Sequence, residues 1–122
     1  YSLRCIPQIL GPVLESSRTS LEWVTHELNS QSDNPYIDED RIINGGNFYG
    51  GYLTMASDQM ALNLAKVAEL LDRQTFHLVG GQYHLPENLI HQGDSAPYHG
   101  MKGVHQISNS LLMKIRAQAT PY

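Results

Sequence analysis

Tyr1 and Arg4 stand three residues apart at the head of a helical stretch, a spacing that can put both on one face. A phenol exchanges a proton when its surroundings tune it, and a guanidinium grips a carboxylate through two parallel hydrogen bonds. Without context, a Tyr and an Arg near a helix start are more often surface or capping residues, so the spacing alone does not decide. Gly45-Gly46-Asn47-Phe48 carries a similar choice. Paired glycines let a backbone approach a ligand closely while Phe48 walls a pocket, or the stretch is an ordinary turn with an aromatic anchor. Lys102, flanked by Gly100 and Gly103, opens a helix at the end where the helix dipole disfavours a cation. That misplacement points to a task such as meeting an anionic group, against the commoner reading of an exposed lysine.

Other chemistries find less support. His26, His77, His84, His91, His99 and His105 form no H-E-x-x-H pattern, and the single cysteine, Cys5, provides no thiolate cluster for zinc. Cys5 reads as a structural thiol. Neither the G-x-x-x-x-G-K-[ST] phosphate loop nor G-x-G-x-x-G occurs. The net charge is −4 with histidine neutral, and the eight Lys and Arg residues are scattered, which argues against nucleic acid or an anionic membrane as partner. One cysteine cannot make an internal disulfide, and no apolar run is long enough to span a bilayer, so a reducing cytoplasm is the simplest location.

Three helical segments must position these residues. The first runs from about Ile6 to Leu28, with Ile6, Ile9, Leu10, Val13, Leu14, Leu21, Val24 and Leu28 at helical spacing; Pro7 fits the first turn and Pro12 predicts a bend near Gly11. The second runs from about Tyr52 to Val79, with Leu53, Ala56, Met60, Leu64, Val67, Ala68 and Leu71 on one side. Lys66, Glu69, Asp72 and Arg73 crowd its second half, which is expected to meet more solvent. The third takes about Met101 to Ala117, with a stripe of Val104, Ile107, Leu111 and Ile115. Two turn-rich loops, 29–51 and 80–100, separate the helices, and no strand alternation competes. The expected class is all-α, a single segment over residues 1–122 with no internal domain boundary. Long helices with few turns predict a bundle completed by other segments or other subunits. The chain starts at Tyr1 without an initiator Met and ends without a clear helix stop, so an internal piece of a longer protein is expected.

In order and near-spacing, Tyr1-Ser2-Leu3-Arg4-Cys5, Pro7-Gln8, Leu10-Gly11-Pro12, Glu27-Leu28-Asn29-Ser30, Ser32-Asp33-Asn34-Pro35, Gly45-Gly46-Asn47-Phe48, Asp58 and Leu85-Pro86 resemble the aromatic amino acid ammonia-lyases, the family of histidine, phenylalanine and tyrosine ammonia-lyases. The resemblance spans nearly the whole chain. It implies the central helical domain of that fold and non-oxidative loss of ammonia from an aromatic L-amino acid, giving a trans-2-enoic acid. It also implies a methylidene-imidazolone electrophile made from an Ala-Ser-Gly triplet; the triplet is absent here, and the family's version lies upstream. The isolated segment is therefore expected to be inactive. By the same resemblance Tyr1 matches the proton-transferring tyrosine and Arg4 the partner of the substrate carboxylate. Asn34 matches an asparagine of the substrate site and Phe48 an aromatic near the prosthetic group. A homotetramer whose active sites draw on several subunits is implied as well. Tyr98-His99-Gly100-Met101-Lys102-Gly103 looks like the phenylalanine-lyase pattern and places Lys102 in the substrate site, and Tyr49 departs from the histidine-enzyme pattern. A phenylalanine- or tyrosine-type lyase is favoured, with histidine as substrate also open. The same signatures serve 2,3-aminomutases, and a non-catalytic helical assembly module is the alternative of a different class.

Overall fold

A computed structural model of the protein describes residues 1–91 and 98–120. Three helices dominate: α1 (Ile6–Leu28), α2 (Gly51–Val79) and α3 (Lys102–Gln118). Pro7 lies in the first turn of α1, where its missing N–H costs no hydrogen bond. The helix then continues unbroken through Pro12. There the Gln8 carbonyl loses its usual donor, and the Ser16 hydroxyl reaches back to the Pro12 carbonyl at 2.7 Å. At its far end α1 stops at Asn29, whose N–H folds back to the His26 carbonyl. Gly50, at φ 69, turns the chain into α2 through the left-handed region that glycine occupies without a steric penalty.

The helices run up, down and up. The Ser2 carbonyl accepts a hydrogen bond from Gln74 Nε2 at 3.1 Å, while Trp23 meets Tyr52 edge to face at 5.8 Å, so α1 and α2 are antiparallel. Ser108 pairs with Asp72 and Arg116 with Glu69, which makes α3 antiparallel to α2 in turn. α2 is central, with α1 and α3 packed on it rather than on each other.

The loop between α1 and α2 contains an antiparallel hairpin, contrary to the expectation of no strand. β1 (Tyr36–Asp38) pairs with β2 (Arg41–Ile43) in the register Tyr36↔Ile43, Ile37↔Ile42, Asp38↔Arg41. The turn is closed by an Arg41–Asp38 ion pair at 2.6 Å. Strands of three residues are too short to display the alternation that identifies a strand in sequence.

The core is thin: Ala56, Leu70, Val79, Leu112 and Ala119 are its buried apolar residues among those described. Leu53, Met60, Leu64 and Leu71 of the expected α2 stripe are exposed, as are Leu21 and Leu28 of α1 and Ile107 and Leu111 of α3. The periodicity located the helices but not the faces they bury: of the α2 stripe only Ala56 is buried, and α3 packs through Leu112 and Ser108 rather than through Val104, Ile107 and Leu111. Asp72 corrects a second expectation. Instead of meeting solvent it is 1% exposed, because α3 lies over that stretch of α2.

Candidate active site

Tyr1 precedes α1 in a turn closed by the Cys5 N–H on the Tyr1 carbonyl at 2.9 Å. Its ring is 87% exposed, and the Arg4 guanidinium carbon stands 5.3 Å from the ring centroid, within cation–π range. The pair therefore does share a face. Among the described residues no carboxylate pairs with Arg4 and no group hydrogen-bonds the Tyr1 hydroxyl. Buried Ser2, through its bond to Gln74, fixes this pair at the C-terminal end of α2.

Lys102 is at the same end. It is the first residue of α3 and exposed, and one turn later the His105 ring lies 5.7 Å from Phe76 near the end of α2. Asn34 and Phe48 are at the other end. The Asn34 carboxamide oxygen accepts from the Gly45 N–H at 3.1 Å, which ties the start of the hairpin loop to its close. Phe48 sits in a short 3-10 turn, Asn47–Tyr49, directly before α2, with its ring exposed. Asn47 Nδ2 holds that turn against the residues that follow α1 by donating to Ser30 Oγ and the Gln31 carbonyl, each at 3.0 Å. Gly51 and Gln74 are separated by roughly 35 Å of helix. Within one chain the structure thus brings Tyr1 and Arg4 together, sets Lys102 at their end, and leaves Asn34 and Phe48 remote from all three.

Two polar clusters were not singled out in the sequence, and both lie at helix contacts. The Asn63 carboxamide donates to Ser17 Oγ at 3.0 Å and the Val13 carbonyl at 3.4 Å, and its oxygen accepts from Gln59 at 3.0 Å, pinning α1 to α2. Between α2 and α3, Asp72 accepts from Arg73 at 2.6 Å and Ser108 at 3.1 Å, while the buried His105 Nε2 has no hydrogen-bond partner among the described residues and lies 3.9 Å from the Asp72 carboxylate. Glu69 takes Arg116 at 2.7 Å and Lys66 at 3.4 Å. Partial burial works to raise its pKa, but the hydrogen bonds and charges of Arg116 and Lys66 outweigh this and hold it below its ordinary value. A polar residue inside an apolar helical window, as in Leu62-Asn63-Leu64, was the signal available for the first cluster.

A cleft of about 680 Å³ opens between α1 and α3 over α2, bordered by Pro12, Val13, Leu62, Asn63, Glu69 and Arg116. None of the five candidate residues lines it. Among the described residues no group of histidine, cysteine, aspartate and glutamate could hold a metal ion, and no helix is long and apolar enough to cross a membrane.

The family model for aromatic amino acid lyases matches residues 1–122. A histidine ammonia-lyase of Vibrio vulnificus is 41% identical over 96 residues, covering 76% of this chain and 19% of that protein. A phenylalanine ammonia-lyase of Nostoc punctiforme is 32% identical over 116 residues, covering 92% of this chain and 20% of its own length. Among solved structures, a ligand-bound tyrosine aminomutase mutant superposes with a TM-score of 0.85 at 31% identity, covering 96% of this chain and 23% of that one. The chain spans about a fifth of the length of the curated relatives it matches.

Proposed function

The chain belongs to the aromatic amino acid lyase family, and on that premise we propose that it supplies part of the active site of an ammonia-lyase acting on an aromatic L-amino acid. The reaction is non-oxidative elimination of ammonia to give a trans-2-enoic acid. Arg4 holds the substrate carboxylate through its planar fork, and Tyr1 exchanges a proton beside it. Asn34, Phe48 and Lys102 complete the substrate surroundings.

The observation that carries this reading is the placement of the five residues. Tyr1, Arg4 and Lys102 stand exposed at one end of α2, and Asn34 and Phe48 stand at the other. If these residues serve one small site, a neighbouring chain must bring the two ends together, as side-by-side antiparallel packing would, and the site is then completed between subunits. A homotetramer in the cytoplasm is the assembly we propose.

The family's methylidene-imidazolone, formed from an Ala-Ser-Gly triplet outside this segment, supplies the electrophile. The residues present fit such a group: a phenol hydroxyl with no partner among the described residues, and an exposed aromatic ring in Phe48 to wall its apolar side. With the group in place, Arg4 fixes the substrate's orientation, Phe48 helps exclude water, and Tyr1 moves a proton at its phenolic oxygen.

Phenylalanine or tyrosine is the proposed substrate, supported by Tyr49 and by Tyr98-His99-Gly100-Met101-Lys102-Gly103. Histidine is the second reading, favoured by the 41% identity to a histidine ammonia-lyase. An aminomutase, which returns the ammonia to the β-carbon, draws support from the superposition on a tyrosine aminomutase. Product analysis of the full-length protein with L-Phe, L-Tyr and L-His given separately distinguishes them. A trans-2-enoic acid from L-Phe or L-Tyr is expected, and urocanate alone would assign histidine. A β-amino acid would assign the mutase, and no product from any of the three would leave the helical assembly module.

A further inference from the structure

Between α2 and α3 the chain makes a compact turn, Pro86–Ile90, in which the Leu89 N–H donates to the Pro86 carbonyl at 2.9 Å and the Ile90 N–H to the Glu87 carbonyl at 3.2 Å. Asn88 and Leu89 hold left-handed backbone, at φ 52 and φ 54. This geometry aims the Asn88 carbonyl away from its own turn and towards the start of α3. It accepts the Met101 N–H at 2.8 Å, one residue before Lys102. Among the described residues the Lys102 N–H has only a long contact of 3.4 Å to the His99 carbonyl, and no side chain caps the helix. The Asn88–Met101 bond is therefore the firm tie on the first turn of α3.

Gly100 makes that bond possible for two independent reasons. Its φ of +54 lies in the left-handed region. A Cβ there would also overlap the Asn88 carbonyl oxygen and stand 2.7 Å from Ile90 Cγ1. Gly81, at φ +68, has the same backbone demand, yet a Cβ on it would meet nothing closer than 3.6 Å among the described residues. Gly100 is thus set by close approach as well as by conformation, and what approaches is the carbonyl that anchors the helix carrying Lys102.

We infer that Gly100 is a positioning residue: by letting the Asn88 carbonyl latch onto Met101, it fixes where Lys102 stands in the substrate site. This rests on the reading of Lys102 as a substrate-site residue. Any side chain at position 100 pushes the turn off α3 and lets the lysine drift, which weakens substrate binding more than it slows the chemical step.

The test uses the full-length enzyme with its prosthetic group, in the variants Gly100→Ala, Gly81→Ala, Lys102→Met, Arg4→Lys and Gly100→Ala/Lys102→Met. Gly100→Ala is expected to raise KM about tenfold with kcat within about threefold, and to add less than about twofold once Lys102 is already methionine. Gly81→Ala, which carries the same conformational cost without the clash, is expected to move KM less than about twofold. A full Gly100→Ala effect in the Lys102→Met background overturns the inference, as does an unchanged KM in a folded Gly100→Ala enzyme. If Lys102→Met leaves KM unchanged while Arg4→Lys impairs catalysis, Lys102 is no substrate-site residue and the inference falls alone. If neither substitution matters, it is the functional reading that fails. Amide exchange in the unaltered enzyme needs no variant to fold: the Met101 amide is expected to be protected relative to its loop neighbours, and exchange as fast as theirs would show that no latch exists.

Discussion

Tyr1 and Arg4, both exposed, stand within cation–π range of each other, and among the described residues no carboxylate pairs with Arg4 and no group hydrogen-bonds the Tyr1 hydroxyl. A structural pair of this exposure would tolerate replacement, with stability moving by about 0.5 kcal/mol or less and kinetics unmoved. The proposed roles predict otherwise for the full-length enzyme. Arg4→Lys keeps the charge and loses the fork, so kcat/KM should fall by about tenfold to a few hundredfold. Tyr1→Phe keeps the ring and loses the exchangeable proton, so the loss should fall on kcat, by on the order of 10² to 10⁴, with KM moving much less. Steady-state kinetics on both variants, after checking the absorbance of the prosthetic group, decides; an unchanged kcat in Tyr1→Phe removes the catalytic assignment. The shared face of this pair was legible in its i, i+3 spacing. The burial of Asp72 was not, since a charged residue beside Arg73 gives no sign that a neighbouring helix will cover it and that Ser108 will hydrogen-bond to it.

Among the elements, periodicity located all three helices to within a residue at each end, because each is long enough for a 3.6-residue repeat to repeat several times. It did not say which part of each apolar face would be covered: Leu70 and Leu112 are buried while Leu71 and Leu111 beside them are exposed. Covering depends on where a neighbouring helix lies, and that information is held in inter-helix polar contacts such as those of Asn63 with Val13 and Ser17 in α1 and of Glu69 with Arg116 in α3. The Glu69 contact has a pH signature. Its carboxyl is held below its ordinary value of 4.5 by Arg116 and Lys66 against the opposing effect of burial, so the folded state binds its proton less readily than the unfolded chain does. The stabilisation is then complete above the ordinary carboxylate range and is lost as the pH falls through the lowered folded-state value. Because the side chains are 37% and 47% exposed, Glu69→Gln should cost no more than about 0.5 kcal/mol near neutrality. Urea titrations of the two proteins should show that small gap closing as the pH is taken below 4.5, and a gap that widens on acidification would contradict the assignment.

At the scale of the whole chain, the accessible surface is 9552 Å². A compact monomer of this mass would expose about 6,600 Å². Exposed large apolar side chains contribute to the excess, among them Leu14, Leu21 and Leu28 at seven-residue spacing on α1 and Leu64 and Leu71 on α2. Apolar side chains repeated along one helix face favour association. The isolated segment is expected to sediment as oligomers or aggregates and to show no lyase turnover. A well-behaved monomer in sedimentation velocity would count against the bundle argument, and measurable turnover would refute the dependence on an electrophile from outside the segment.

The separation of Tyr1 and Arg4 from Asn34 by most of the length of α2 also makes a genetic statement. If each site borrows one set from one subunit and the other set from its neighbour, two dead alleles can repair each other. Full-length enzyme carrying only Tyr1→Phe, and enzyme carrying only Asn34→Ala, should each be nearly inactive. Unfolded together in equal amounts and reassembled, or co-expressed, they should form mixed oligomers in which about a quarter of the sites combine an intact tyrosine with an intact asparagine, as random pairing of two kinds of subunit requires. Sites built within one chain would recover nothing.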